Sequence, residues 1–178
     1  VTAVNLDPAS GAVYVGYGQA GIWKSSDGGG SWRAIPVGDL PGVPDTAFVN
    51  NIVADLFAAD TAYVALDNHK FGDFRPLLLK TSDRGARWTS MAGDLPDRHL
   101  VWRLVQDHVK AELFFAATEF GIFFTVDGGD RWVELEGGVP TISFRDLAIQ
   151  TRENDLVGAT FGRSFYVLDD YTPLRLVS

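Results

Sequence analysis

The sequence predicts an all-β chain of β-propeller blades, about four of them, each a small sheet of four antiparallel strands. Three observations carry this. A short turn motif recurs three times in register. An anchor residue precedes each copy at a nearly constant distance. The stretches between them have the length and residue types of short strands, and no window holds helical periodicity over three turns.

The turn motif reads Ser25-Ser26-Asp27-Gly28-Gly29-Gly30-Ser31-Trp32, Thr81-Ser82-Asp83-Arg84-Gly85-Ala86-Arg87-Trp88 and Thr125-Val126-Asp127-Gly128-Gly129-Asp130-Arg131-Trp132. Each copy, called here a box, has Ser or Thr two before the Asp, Gly two after it and Trp five after it. Upstream, Asp7, Asp55 and Asp107 each end an apolar stretch, and Gln150 takes that place in a fourth unit. The anchor-to-box distances are 27 − 7 = 20, 83 − 55 = 28 and 127 − 107 = 20; Gln150 to Asp170 is again 20. Asp170 therefore sits where a fourth box belongs, in a decayed form with Leu168, Thr172 and Arg175 for Ser/Thr, Gly and Trp. The one unequal distance places an eight-residue insertion between Asp67 and Pro76.

Between anchor and box each unit holds two β-branched or aromatic stretches bounded by turn residues, such as 12–16 and 21–24, 61–65 and 76–80, 113–117 and 121–124, or 156–160 and 164–167. With one strand at the anchor and one after the box, each unit has four strands, A to D. Units of ~40 to 45 residues with four strands are propeller blades. The blades run from about 1 to 40, 47 to 95, 100 to 140 and 143 to 178. The box is then the C–D hairpin link. Its Asp accepts N–H groups two or three residues on, its Gly takes a positive φ, its Ser or Thr bonds across the hairpin, and its Trp returns onto the blade beside its neighbour. These demands make Asp27, Gly29, Trp32, Asp83, Gly85, Trp88, Asp127, Gly129 and Trp132 structural residues.

The composition fits a globular domain: 46% hydrophobic, 21% charged and 12% aromatic over 178 residues. The net charge of −8 argues against nucleic acid and anionic membrane, which call for Lys and Arg. The absence of cysteine excludes disulfides, thiolate catalysis and Cys-ligated zinc. No apolar run reaches the ~20 residues of a membrane span. The box Asp residues do not form the alternating acidic pattern of an EF-hand loop, so no metal and no cofactor is expected.

The boxes resemble the Asp-box, or BNR, repeat of sialidases, xyloglucan-cleaving hydrolases and VPS10/sortilin-type receptors. The closing stretch, Phe161 to Arg175, is similar to the last blade of large bacterial BNR-repeat proteins, often labelled glycosyl hydrolases. The resemblance implies a piece of a larger propeller, because six to ten blades are ordinary in this family. It also implies an exported protein, secreted or periplasmic. The chain begins at Val1 without a signal-like segment, in keeping with a piece. A four-blade piece either closes on itself or exposes edge strands that seek a partner, through self-association or the remaining blades.

Because C–D and A–B links share one face of a blade, every box lies on that face. The family resemblance places a functional site on the opposite face, near the central channel, where the B–C and D–A links meet. The candidates there are Asp73 and Glu119 as a catalytic carboxylate pair, with Arg103, Arg145, Arg163, Trp102, Tyr17 and His69 as ligand contacts. The plainer reading of each is structural: Arg103 and Arg145 pair with carboxylates such as Asp146, and His69 sits in a solvated loop. Glycoside hydrolysis normally needs two carboxyl groups at a defined separation. The sialidase reading finds only a partial echo, Phe74-Arg75-Pro76, of that family's Phe-Arg-Ile-Pro stretch. The link from Ile35 to Thr46, with Pro36, Pro41 and Pro44, is longer than its counterparts and is expected to lean over the same face. A non-catalytic scaffold or recognition module for a glycan or protein leads the functional readings. Part of a glycoside hydrolase is the alternative, and a sortilin-like peptide receptor the weaker one.

Overall fold

The computed structural model describes residues 1–7 and 10–177. Strands β1 (Ala3–Leu6), β2 (Val13–Gly16), β3 (Ile22–Ser25) and β4 (Arg33–Ile35) make the first antiparallel sheet in sequence order. The second holds β5 (Phe48–Ala54), β6 (Ala62–Asn68), β7 (Asp73–Thr81) and β8 (Thr89–Ser90). The third holds β9 (Val101–Gln106), β10 (Phe114–Thr118), β11 (Gly121–Thr125) and β12 (Val133–Glu134). The fourth has three strands, β13 (Phe144–Gln150), β14 (Asp155–Thr160) and β15 (Phe165–Leu168). These are blades of a partial propeller. The first strands stack in order, β1 on β5, β5 on β9 and β9 on β13. Residues from all four line a cavity of about 470 Å³ along the axis.

The fourth blade departs from the four-strand expectation. Its decayed box is followed by a 3-10 turn over Thr172–Leu176. Without the box Gly and Trp, Asp170 accepts from the N–H and hydroxyl of Thr172. Tyr171 and Arg175 turn back to blade 3, where both bond the buried anchor Asp107.

Inside the three intact boxes the hydroxyl works within the turn rather than across the hairpin. Ser25, Thr81 and Thr125 donate to the Asp carboxylate and accept the N–H of Gly29, Gly85 and Gly129. The carboxylates reach four residues on, to the N–H of Ser31, Arg87 and Arg131. Hydrogen bonds from the Ser31 hydroxyl and N–H and from Ser25 hold the Asp27 pKa down at about 2. With its lone pairs committed in this way, each box carboxylate is a turn element. Among the described residues no group of three or more His, Asp or Glu is placed to hold a metal ion.

Alternation along each strand sends one set of side chains to the preceding blade and the other to the following one. Tyr14, Ile22 and Ile35 of blade 1 meet Ile52, Val64, Leu79 and Trp88 of blade 2. Tyr63, Leu78 and Met91 of blade 2 meet Leu104, Phe114, Phe123 and Trp132 of blade 3. Phe115 and Ile122 of blade 3 meet Phe144, Leu147, Leu156 and Tyr171 of blade 4. The box Trp thus packs onto the blade before its own. Trp88 is 8% and Trp132 6% exposed, whereas Trp32, which meets no other blade among the described residues, is 42% exposed.

The contact is close at Gly129, whose φ is +103; a Cβ there would lie 2.5 Å from Met91 Cγ. Gly129→Ala should lower stability by about 1–3 kcal/mol through overpacking, beyond its backbone strain. Gly128→Ala, whose Cβ meets nothing within 4 Å, should carry only the backbone cost of about 1 kcal/mol. Urea midpoints of the two variants check the difference.

Two links differ from their sequence reading. The insertion lengthens the β6–β7 hairpin, so Phe74, Arg75 and Pro76 lie in strand β7 rather than in a loop, and His69–Phe71 form a 3-10 turn at its tip. The proline-rich link does not lean over a face. Val37, Leu40, Val43 and Ala47 are buried in the layer between blades 1 and 2, because their apolar side chains fill the end of that interface.

Candidate loop-face site

Three inner strands carry a β-bulge at the same repeat position. The ladder skips Asn50 in β5, Trp102 in β9 and Arg145 in β13. Their spacings, 102 − 50 = 52 and 145 − 102 = 43, are the spacings of the anchors from Asp55 to Asp107 and from Asp107 to Gln150. A bulge bends its strand and re-aims the extra residue. Here the re-aimed side chains reach toward neighbouring blades. Asn50 Nδ2 donates to the Val101 carbonyl at 3.3 Å. The Arg145 guanidinium carbon sits 3.7 Å from the centre of the Trp102 ring and 5.3 Å from that of Phe161.

Glu119, in the B–C link of blade 3, holds this stack together. Its Oε2 accepts from Trp102 Nε1 at 2.9 Å and from Ser143 Oγ at 3.1 Å, and lies 3.7 Å from an Arg145 nitrogen. On the far side the His69 ring meets Trp102 edge-on at 5.5 Å, and its Nδ1 is paired with the buried Asp67. His69 is therefore an oriented, half-buried ring at a hairpin tip. Phe161, at 75% exposure, forms the open end of the stack. Cation, carboxylate and aromatic faces are thus held together on one surface.

The other predicted residues are placed apart from this stack. Arg103 pairs with Asp146 at 2.6 Å, as its plainer reading expects. Asp73 is held by Arg75 through two hydrogen bonds of 2.7 and 3.0 Å, and the Arg75 side chain lowers the Asp73 pKa. It lines a separate groove with Phe74, Asp97 and Arg98. Among the described residues, Asp73 and Glu119 share no hydrogen-bond partner. Arg163 is exposed in the turn after β14, where its N–H donates to Thr160 Oγ1. Tyr17 lies on the outer face of blade 1 with Val15, Trp23 and Trp32. Asn50, Ser143 and Phe161 escaped the sequence reading; the common register of Asn50 with Trp102 and Arg145 was the available signal for the first.

Solved propellers share this fold. The GH74 xyloglucanase from Xanthomonas campestris matches 94% of this chain and 28% of its own length, at a TM-score of 0.70 and 17% identity. YCF48 from Cyanidioschyzon merolae matches 93% and 52%, at 0.64 and 16%. An extracellular domain from B. thetaiotaomicron matches 96% and 21%, at 0.68 and 14%. At such identities the likeness shows the fold alone. The chain spans about a quarter of the GH74 protein's length and about half of YCF48's. No family model and no curated protein matches the chain.

Proposed function

We propose that this chain is part of an Asp-box propeller serving as a non-catalytic recognition module of an exported protein, and that its loop face binds a glycan. One observation carries the reading. The Glu119 carboxylate is spent on holding Trp102, Ser143 and Arg145 in place, while the Phe161 ring and the Arg145 guanidinium stay open to solvent. A sugar ring offers C–H faces to an aromatic side chain and hydroxyls to a guanidinium, so this stack suits it. The carboxylate pair of a glycosidase has no counterpart in that arrangement, since Asp73 is tied to Arg75 in its own groove. Export is in keeping with the extracellular domain among the similar structures.

Calorimetric titration with xyloglucan and sialoside oligosaccharides, with product analysis alongside, tests this. Binding without hydrolysis is expected. Arg145→Ala should weaken it about tenfold, or 1.4 kcal/mol. Hydrolysis lost in Glu119→Gln would replace the reading with a glycoside hydrolase. A YCF48 structure is described as bound to a D1 peptide; peptide binding in place of glycan binding would exclude the glycan.

A further inference from the structure

The residue three after each box Trp is Ile35, Met91 or Leu135. The first two end as knobs in a socket on the next blade. Ile35 Cδ1 lies 3.1 Å from where a Gly85 Cβ would stand, within the layer closed by Trp88. Met91 lies against Gly129, and its carbonyl accepts from Trp132 Nε1 at 3.2 Å. Gly and Trp of one box thus clasp the last strand of the blade before.

Blade 1 has the same socket, and it is open. Among the described residues, the only atom within 4 Å of a Gly29 Cβ belongs to Trp32 of its own box. Trp32 Nε1 donates to the Gly29 carbonyl of its own turn, where Trp132 Nε1 reaches the Met91 carbonyl of the blade before. Around it, Val15, Tyr17, Trp23 and Trp32 line an apolar hollow of about 250 Å³. Trp23 occupies the position of Leu79 and Phe123, four before the box Asp. It is 38% exposed where they are 3% and 4%.

We infer that the outer face of blade 1 is a docking surface for one further blade with the same turn, lying before β1 in the ring and bringing an aliphatic residue three after its own Trp into the Gly29–Trp32 socket. Ile35 on Gly85 and Met91 on Gly129 already build two successive interfaces in this way, and the open socket continues the series. A second copy of the chain is a poorer occupant. Its Ile35, Met91 and Leu135 are engaged within its own layers, and among the described residues its last blade has no strand after the decayed box. The outer face of that blade, with Phe165 and Val167 exposed, offers no such knob.

The test duplicates residues 1–48 ahead of Val1. This keeps the 55 − 7 = 48 residue spacing of successive anchors and brings a second Ile35 to the socket. Oxidative labelling read residue by residue should show native Trp23 and Trp32 slowing to the rates of Trp88 and Trp132. Ile35→Ser in the added copy alone should restore fast labelling, and Ile35→Leu should not. An added blade that fails to fold, or that folds and leaves Trp32 reactive, overturns the inference. So does a dimer of the unextended chain, seen by light scattering, that protects Trp32 at rising concentration.

Discussion

Trp132→Ala is expected to reduce the unfolding free energy by about 3–5 kcal/mol, the range for truncating a fully packed aromatic side chain. Trp132 fills the layer between blades 2 and 3 with Leu78, Met91, Phe114 and Phe123. It also ties that layer by donating to the Met91 carbonyl, and its own N–H donates to Asp94 at 2.6 Å. Trp32→Ala, at the same repeat position, should cost about 1 kcal/mol or less, because its ring is 42% exposed and meets no other blade among the described residues. The measurement is the urea midpoint of each variant at constant m-value. Equal losses would mean that the Trp stabilises its own turn rather than the interface. The comparison separates these because both variants delete the same side chain from nearly the same turn.

Asp107 should dominate the response to acid. Its carboxylate is fully buried, accepts two hydrogen bonds from Arg175, one from Tyr171 and two from the N–H groups of Val109 and Lys110. Burial alone would raise its pKa. The hydrogen bonds from Arg175, Lys110, Tyr171 and Val109 outweigh burial and bring it down to about 2. Burial and the same carboxylate push the Tyr171 pKa upward, keeping its hydroxyl a donor. A depressed folded-state pKa means stability that is fully present above the unfolded value, about 3.9, and lost as pH falls toward about 2. Over that window the group should account for about 2 kcal/mol. Asp107→Ala should destabilise by about 3–5 kcal/mol at neutral pH, leaving the Arg175 charge without its partner. Stability followed from pH 7 to pH 2 should then fall less steeply in the variant than in the parent chain. Parallel curves would show that Asp107 is not the group being protonated.

The box and the anchor were legible because their demands are local. A positive φ at Gly29, a carboxylate reaching N–H groups in its own turn and an alternating strand each write a fixed residue type at a fixed spacing. Phe161 and Ser143 were not legible, because nothing in their neighbourhood marks them; they matter only where blades 3 and 4 bring Glu119 and Arg145 beside them. The sequence presents Glu119 as an acid or base, and only the fold brings its carboxylate to three partners from two blades. Its place in a B–C link puts Tyr17 with the loop-face residues in the sequence, yet in the fold it sits with Val15, Trp23 and Trp32 on the open outer face.

By itself the sequence determined the blade as the unit, the order of strands within it, the turn that closes it and the place where the fourth repeat decays. Those are properties of short spans, set by backbone conformation and by the two-residue period of strands. The tertiary structure alone decided which strand position bulges, and therefore where Trp102 and Arg145 point. It also decided which two of three equivalent tryptophans are buried, and that the proline-rich link is core. These depend on what lies across an interface, and a side chain's burial or aim is a property of both blades that meet there.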